Sequence, residues 1–259
     1  MTQPIIPWPG GKRRLAKAIL PLLGAHQTYI EPFAGGAAIF FLKEPSRAEV
    51  LNDFNGELIN LYRVVQHHLE EFVRQFRWAL VSRQIFKWLQ LQAPVTLTDI
   101  QRAARFYYLQ RSAFGAKVAG QTFGVDAGRA PRLNLLRIEE ELSEAHLRLS
   151  RVTLENLPWQ QLVDRYDRPG AVFFCDPPYW QLAGYGTQFG WPEYQALEQR
   201  MGRIKGRMIL TINDHPDIRE LFKNWPVQTA KITYTCGSTK PQSKSTELIY
   251  TNWKPKAAK

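Results

Sequence analysis

Apolar and polar positions divide the chain into three textures. Up to about residue 55, short unbroken apolar runs alternate with glycine-bearing turns. The spacing predicts a helix over 13–23, a strand through Tyr29-Ile30-Glu31, a helix starting at Ala38-Ile39-Phe40-Phe41-Leu42, and a second strand at Glu49-Val50-Leu51-Asn52-Asp53. Short continuous apolar runs are expected of strands buried on both faces of a parallel sheet. From 56 to 154 the period changes. Leu58, Ile59, Leu61, Tyr62, Val65, Leu69, Phe72, Phe76 and Leu80 recur at helical spacing, and further helices are predicted over 98–111 and 135–149 around a glycine-bearing polar stretch at 115–132. Strand texture returns with Ala171-Val172-Phe173-Phe174-Cys175, Ile209-Leu210-Thr211-Ile212-Asn213-Asp214, and two β-rich segments at 231–234 and 246–253. The expectation is an α/β sheet domain made of 1–55 and 155–259, interrupted by a mainly helical insertion at 56–154. No repeat or low-complexity tract is seen.

Two turns carry chemistry. Asp176-Pro177-Pro178-Tyr179 follows the apolar run 171–175, at the carboxyl end of a predicted strand, where open α/β sheets bind ligands. Paired prolines stiffen the turn and leave local carbonyls outward as acceptors. An acid, a fixed carbonyl and an aromatic ring suit a planar base with an exocyclic amine: the acid and carbonyl take the amine protons and Tyr179 stacks on the ring. Upstream, Glu31-Pro32-Phe33-Ala34-Gly35-Gly36-Ala37 links a strand to a helix, and Asp53 closes the next strand about 20 residues on, the spacing at which an acid binds ribose hydroxyls. The loop lacks both the full G-x-G-x-x-G pattern and a P-loop lysine-hydroxyl pair, so a nucleoside cofactor is expected rather than a dinucleotide. Glu31 either takes an ammonium group or caps its own loop.

These segments, with Trp8-Pro9-Gly10-Gly11-Lys12 ahead of them, occur in the order and spacing of a known family. The chain resembles the alpha-class DNA adenine-N6 methyltransferases, the Dam-like DNA adenine methylase family, over nearly its whole length. The resemblance implies a Rossmann-like, S-adenosylmethionine-dependent methyltransferase sheet with an inserted helical DNA-recognition domain. It implies methyl transfer to the N6 amine of an adenine flipped from DNA, with S-adenosylhomocysteine as product and no metal. It assigns the turn Asp176, Pro177, Pro178 and Tyr179 to catalysis, and Trp8, Lys12, Asp53 and Asp176 to the cofactor; Glu31, Phe33 and Gly35 of the glycine loop are further cofactor-binding candidates. Ala37 stands where relatives often carry a third glycine. Cytosine-N4 methylation and an inactive nucleic-acid-binding module are the alternatives. The recognition sequence, and a role in restriction-modification, regulation or a mobile element, stay open.

Charge points to the same partner. Thirty-four basic and 23 acidic residues give a net +11 over 259 residues, which favours a phosphate polymer such as double-stranded DNA. The densest patch is at 101–137, where Arg102, Arg105, Arg111, Lys117, Arg129, Arg132 and Arg137 face Asp126 alone, with Phe106, Tyr107, Tyr108, Phe114 and Phe123 among them. Arg111, Lys117, Arg129 and Arg132 are the expected DNA contacts. The loop 180–191, with Tyr185 and Phe189, is a candidate lid, and Lys240 and Lys244 are candidate phosphate contacts. Cys175 and Cys236 form no metal or disulfide pattern, and the five histidines show no ligand spacing. Without a signal segment or a long apolar run, a cytoplasmic, membrane-free protein is expected, monomeric in solution.

Overall fold

Alternation along the strands builds a two-faced core. In the computed structural model, which describes residues 2–124, 128, 131, 133–182, 189–233 and 244–255, the chain runs through a short 3-10 turn (Lys12–Leu15), α1 (Ala16–Leu23), β1 (Thr28–Glu31), α2 (Ala38–Leu42) and β2 (Ala48–Asn52). The helical stretch follows as α3 (Gly56–His67), α4 (Leu69–Arg74), α5 (Arg83–Leu91), α6 (Asp99–Ser112) and α7 (Ile138–Leu149). Then come β3 (Val152–Glu155), α8 (Trp159–Tyr166), β4 (Ala171–Cys175), α9 (Trp191–Arg203), β5 (Arg207–Asn213), α10 (Pro216–Leu221), β6 (Val227–Thr233) and β7 (Lys244–Thr251). The strands form one sheet in the order β3-β2-β1-β4-β5-β7-β6. The first five are parallel, and β7 lies antiparallel between β5 and β6. This is a Rossmann-like α/β sheet, as expected, with the hairpin at its edge.

Because successive strand residues point to opposite faces, Tyr29, Leu51, Val172, Phe174, Ile209 and Ile249 enter one apolar cluster, while Ile30, Val50, Phe173, Cys175, Leu210 and Leu248 enter the other. The first cluster also takes α1, α2 and the buried faces of α3, α6 and α7; the second takes α8, α9 and α10. The helical segment therefore shares a core with one sheet face. Within it Tyr107 meets Phe72 and Phe76 edge-on at 5.6 and 5.5 Å, contacts of about 0.5–1.5 kcal/mol each beyond area burial.

Some boundaries differ from the sequence reading. The pattern from Leu58 to Leu80 is not one helix: His68 leaves helical geometry at φ −135° and ψ 38°, and Leu80 is 67% exposed. The sheet resumes at Val152, three residues before the expected boundary, because β3 pairs with β2 from that residue. Among the described residues no helix is long and apolar enough to cross a membrane.

The topology fixes where a ligand fits. The helix after β1 lies on one face and the helix after β4 on the other, so a crevice opens between the carboxyl ends of these neighbouring strands. Register aligns Thr28 with both Ala48 and Ala171, so β1, β2 and β4 all end at that edge.

Candidate active site

The glycine loop after β1 is held from three sides. Asp53 accepts a hydrogen bond from Gly35 N through Oδ2 at 2.9 Å and from Asn55 N through Oδ1 at 2.9 Å. The buried Tyr62 hydroxyl donates to Gly35 O at 2.6 Å. Trp8 covers the loop: a Cβ on Gly35 would lie 2.5 Å from Trp8 Nε1, and Gly35 has φ +47°. Glycine is required there on both counts. Ala37, at φ 49°, takes the left-handed geometry that a glycine adopts at less cost.

Glu31, 1% exposed, ends β1 beneath this loop. Its Oε1 accepts from the Tyr29 hydroxyl at 2.6 Å and from Phe40 N, in the first turns of α2, at 2.9 Å. Burial outweighs both hydrogen bonds and pushes its carboxyl from 4.5 up to about 8. Burial likewise raises Asp53 above the usual carboxylate range.

The second turn begins where β4 ends. Asp176 Oδ1 accepts from Thr211 Oγ1 on β5 at 2.9 Å and lies 2.7 Å from Lys12 Nζ. Burial raises its carboxyl from 3.8 to about 6, against the lowering effect of Lys12. Its Oδ2 has no hydrogen-bond partner among the described residues, and neither has the Pro177 carbonyl. The turn is clamped from outside: the Tyr194 hydroxyl donates to Pro178 O, Trp180 N donates to Asn213 Oδ1 at 3.0 Å, and Asn213 Nδ2 donates to Trp180 O at 3.1 Å. Tyr179 is buried; its hydroxyl donates to Glu247 Oε1, and Lys12 Nζ stands 4.5 Å over its ring.

Both turns open into one cleft of about 1330 Å³, lined among others by Trp8, Lys12, Glu31, Phe33, Gly35, Asp53, Phe54, Asp176 and Pro178. Phe33 contacts Trp159 and Phe189 at 6.2 and 5.5 Å, forming an aromatic wall. An acid at each of three strand ends, an aromatic wall and a glycine cradle make room for a nucleoside beside a planar base.

Residues 8–234 match the family described as D12 class N6 adenine-specific DNA methyltransferase. The chain belongs to this family. A type II methyltransferase of Lactococcus lactis subsp. cremoris, M1.LlaDCHI, is 27% identical across 97% of this chain and 95% of its own length. The type II methyltransferase M.CviBI of Paramecium bursaria Chlorella virus NC1A is 27% identical across 86% and 87%. The DNA adenine methylase of Escherichia coli (strain K12) is 24% identical across 96% and 94%. The sequence-based identification as a DNA adenine methyltransferase is thereby borne out.

Within this methyltransferase the structure brings together all seven residues expected at the cofactor, with corrections elsewhere. Lys12 also pairs with Asp176, a contact the sequence reading did not anticipate. Tyr179 does not line the cleft; one face of its ring is covered by Lys12 and its hydroxyl is anchored. Arg111 is 15% exposed and is taken up by Glu141 at 2.9 Å and by Ile5 O, so it links the N-terminal segment to α7. Arg102 pairs with Glu57, Arg137 with Glu140, and Arg105 donates to Leu89 O. The basic patch is thus weaker than its sequence window suggests, because acids outside the window neutralise it. Lys117 is exposed and makes no ion pair among the described residues. Arg129, Arg132, Tyr185, Lys240 and Cys236 lie outside the described residues, as does the side chain of Lys244. Among the described residues no cluster of three or more His, Cys, Asp or Glu is arranged to hold a metal.

Sequence reading missed Thr211, Asn213, Tyr194, Phe54 and Glu247. Thr211 and Asn213 had a signal, being polar residues two apart on one face at the end of an apolar strand. Glu247 had another, as a lone acid within a strand.

Proposed function

We propose that this chain transfers a methyl group from S-adenosylmethionine to the N6 amine of an adenine flipped out of double-stranded DNA, releasing S-adenosylhomocysteine. The observation that carries the reading is the position of Asp176: it stands at the switch point of the sheet, in the same cleft as Glu31 and Asp53, and among the described residues nothing hydrogen-bonds to its Oδ2. The cofactor, when bound, supplies an electrophilic methyl on a sulfonium. Asp53 uses one lone pair of each oxygen on the loop, and a carboxylate has about four acceptor sites, so a ribose diol still finds acceptors there. Glu31 supplies a buried carboxyl, raised to about 8, that an ammonium group bound beside it would hold in its ionised form. Trp8, Phe33 and Gly35 provide apolar surface and close backbone approach. Asp176 Oδ2 and the Pro177 carbonyl take the two amine protons and aim the nitrogen, while Tyr179 and Pro178 shape the turn.

An adenine in a duplex hides its amine in the stack, so reaching this recess requires extrusion of the nucleotide, at a cost of a few kcal/mol. Positioning and electrostatics then serve methyl transfer. Residues 56–151 act as the recognition domain inserted in the catalytic domain of 1–55 and 152–259, with Lys117, Arg129 and Arg132 toward DNA and Arg111 organising the fold beneath them. The reading is of a monomeric intracellular enzyme, and the type II names of two relatives support a place in restriction-modification. Incubation with unmethylated DNA and methyl-labelled S-adenosylmethionine, followed by digestion to nucleosides, tests the reading. Label is expected in N6-methyladenine; label in N4-methylcytosine, or none, overturns it.

A further inference from the structure

Glu247 is a glutamate with no exposed surface, on the antiparallel strand β7. A buried carboxylate is costly unless charge and hydrogen bonds compensate, and an apolar side chain fills such a position at less cost. Here the compensation comes from the active site. Tyr179, the last residue of the catalytic turn, donates its hydroxyl to Oε1, and the ammonium of Lys12 stands 3.8 Å from Oε2. Lys12 itself is 2% exposed, donates to Gly10 O at 2.7 Å, and pairs with Asp176 at 2.7 Å. Three segments distant in sequence therefore meet at one chain of contacts: Glu247 to Lys12 to Asp176, closed on its other side by Tyr179.

We propose that Glu247 is a positioning residue for methyl transfer, holding Lys12 and Tyr179 so that the Asp176 carboxylate keeps the orientation that accepting the target amine requires. This rests on the reading of Asp176 as the acceptor of that amine. Asp176 is faced by Lys12 from the N-terminal 3-10 turn, Glu247 from β7, Glu31 from the end of β1, the neutral Thr211 from β5 and its own neighbour Cys175. Burial is the largest influence and raises its carboxyl; Lys12 lowers it and Glu247 raises it, leaving it at about 6. Protonation costs the carboxylate its acceptor capacity, so methyl transfer falls as pH drops through that value. Removing the charge of Glu247 removes a like charge and leaves Lys12 to Asp176 alone, and both effects lower that midpoint. Removing the charge of Lys12 raises it. A glutamate that only stabilises the sheet has neither effect.

The test is single-turnover methylation of unmethylated genomic DNA, at saturating S-adenosylmethionine and between about pH 5 and 9, for the wild type, Glu247→Gln and Lys12→Met. The acid limb is expected to move down by at least about half a pH unit in Glu247→Gln and up in Lys12→Met, with the plateau rate reduced in both. A folded Glu247→Gln whose limb stays where the wild type has it overturns the proposal. If melting curves show that Glu247→Gln does not fold, Tyr179→Phe decides, because it removes only the hydroxyl that holds Glu247. There kcat is expected to drop about tenfold with both KM values unchanged, and an unaltered kcat overturns the proposal. An Asp176→Asn variant run alongside separates the two levels: if it methylates at the wild-type rate, the reading of Asp176 itself has failed.

Discussion

At Glu31 a carboxylate is shut into the sheet with one oxygen committed to Tyr29 and Phe40 and its pKa near 8. The folded state therefore keeps a proton that the unfolded chain gives up near pH 4.5, so stability falls as pH rises between these values and the loss is complete above about 8. Glu31→Gln keeps an acceptor for both donors and removes the charge. It is expected to raise Tm by several degrees near pH 9, to change it little near pH 5, and to weaken S-adenosylmethionine binding about tenfold or more. Scanning calorimetry across pH with titration calorimetry checks all three; a destabilised variant at pH 9 speaks against a buried charge held for a ligand. At this scale the sequence was legible where chemistry is local. Glu31, Asp53 and Asp176 each end an apolar run, and so announce a strand's carboxyl edge. Their pairings were not legible: Lys12 was assigned to the site, but its contacts with Asp176 and Glu247, and those of Thr211 and Glu247 with the turn, come only from the tertiary fold.

The glycine loop is the element that converts strand ends into a site. Trp8 lies on Gly35 with no room for a Cβ, a Cβ on Gly36 would be tight against it at 3.0 Å, and Asp53 ties the loop to the end of β2. Gly35→Ala has two costs, a positive φ and a clash with the indole, and is expected to destabilise the protein by about 1–3 kcal/mol. It should also weaken cofactor binding at least tenfold, since the indole must leave the loop. Asp53→Ala should weaken S-adenosylmethionine binding more than DNA binding; an unchanged cofactor Kd, by calorimetry, would move the cofactor site elsewhere. Elements with strong periodicity were legible: α6, opened by the capping box of Thr98 and Gln101, and α7 fall within a few residues of the helices expected. The break at His68 and the short strand β3 were not, because a chain reversal and a parallel edge pairing leave little trace in local pattern.

For the whole molecule, net charge proved a better guide than its local density. The chain is +11, yet Arg102 and Arg111 pair with Glu57 and Glu141, whose positions in sequence gave no sign of it, and Arg137 pairs with Glu140 three residues on, just past the window. Arg111→Ala is accordingly expected to lower stability by about 1–3 kcal/mol and to leave the salt dependence of DNA binding almost unchanged. Lys117→Ala is expected to leave stability unchanged and to reduce the slope of log K against log salt by about one. Binding isotherms at several salt concentrations, with melting curves, distinguish these outcomes; a normal Tm and a lost phosphate contact for Arg111→Ala would return it to the DNA interface.

All of these scales converge on Asp176, which lines the cleft and whose Oδ1 is held by Lys12 and Thr211. Asp176→Asn preserves shape and one set of contacts but turns the acceptor toward the amine into a donor. The decisive measurement is the single-turnover rate of N6-methyladenine formation by Asp176→Asn, with S-adenosylmethionine and DNA both saturating and their Kd values measured on the same preparation. The account predicts a rate at least about a thousandfold below wild type with the DNA Kd little changed; methylation at the wild-type rate would contradict it.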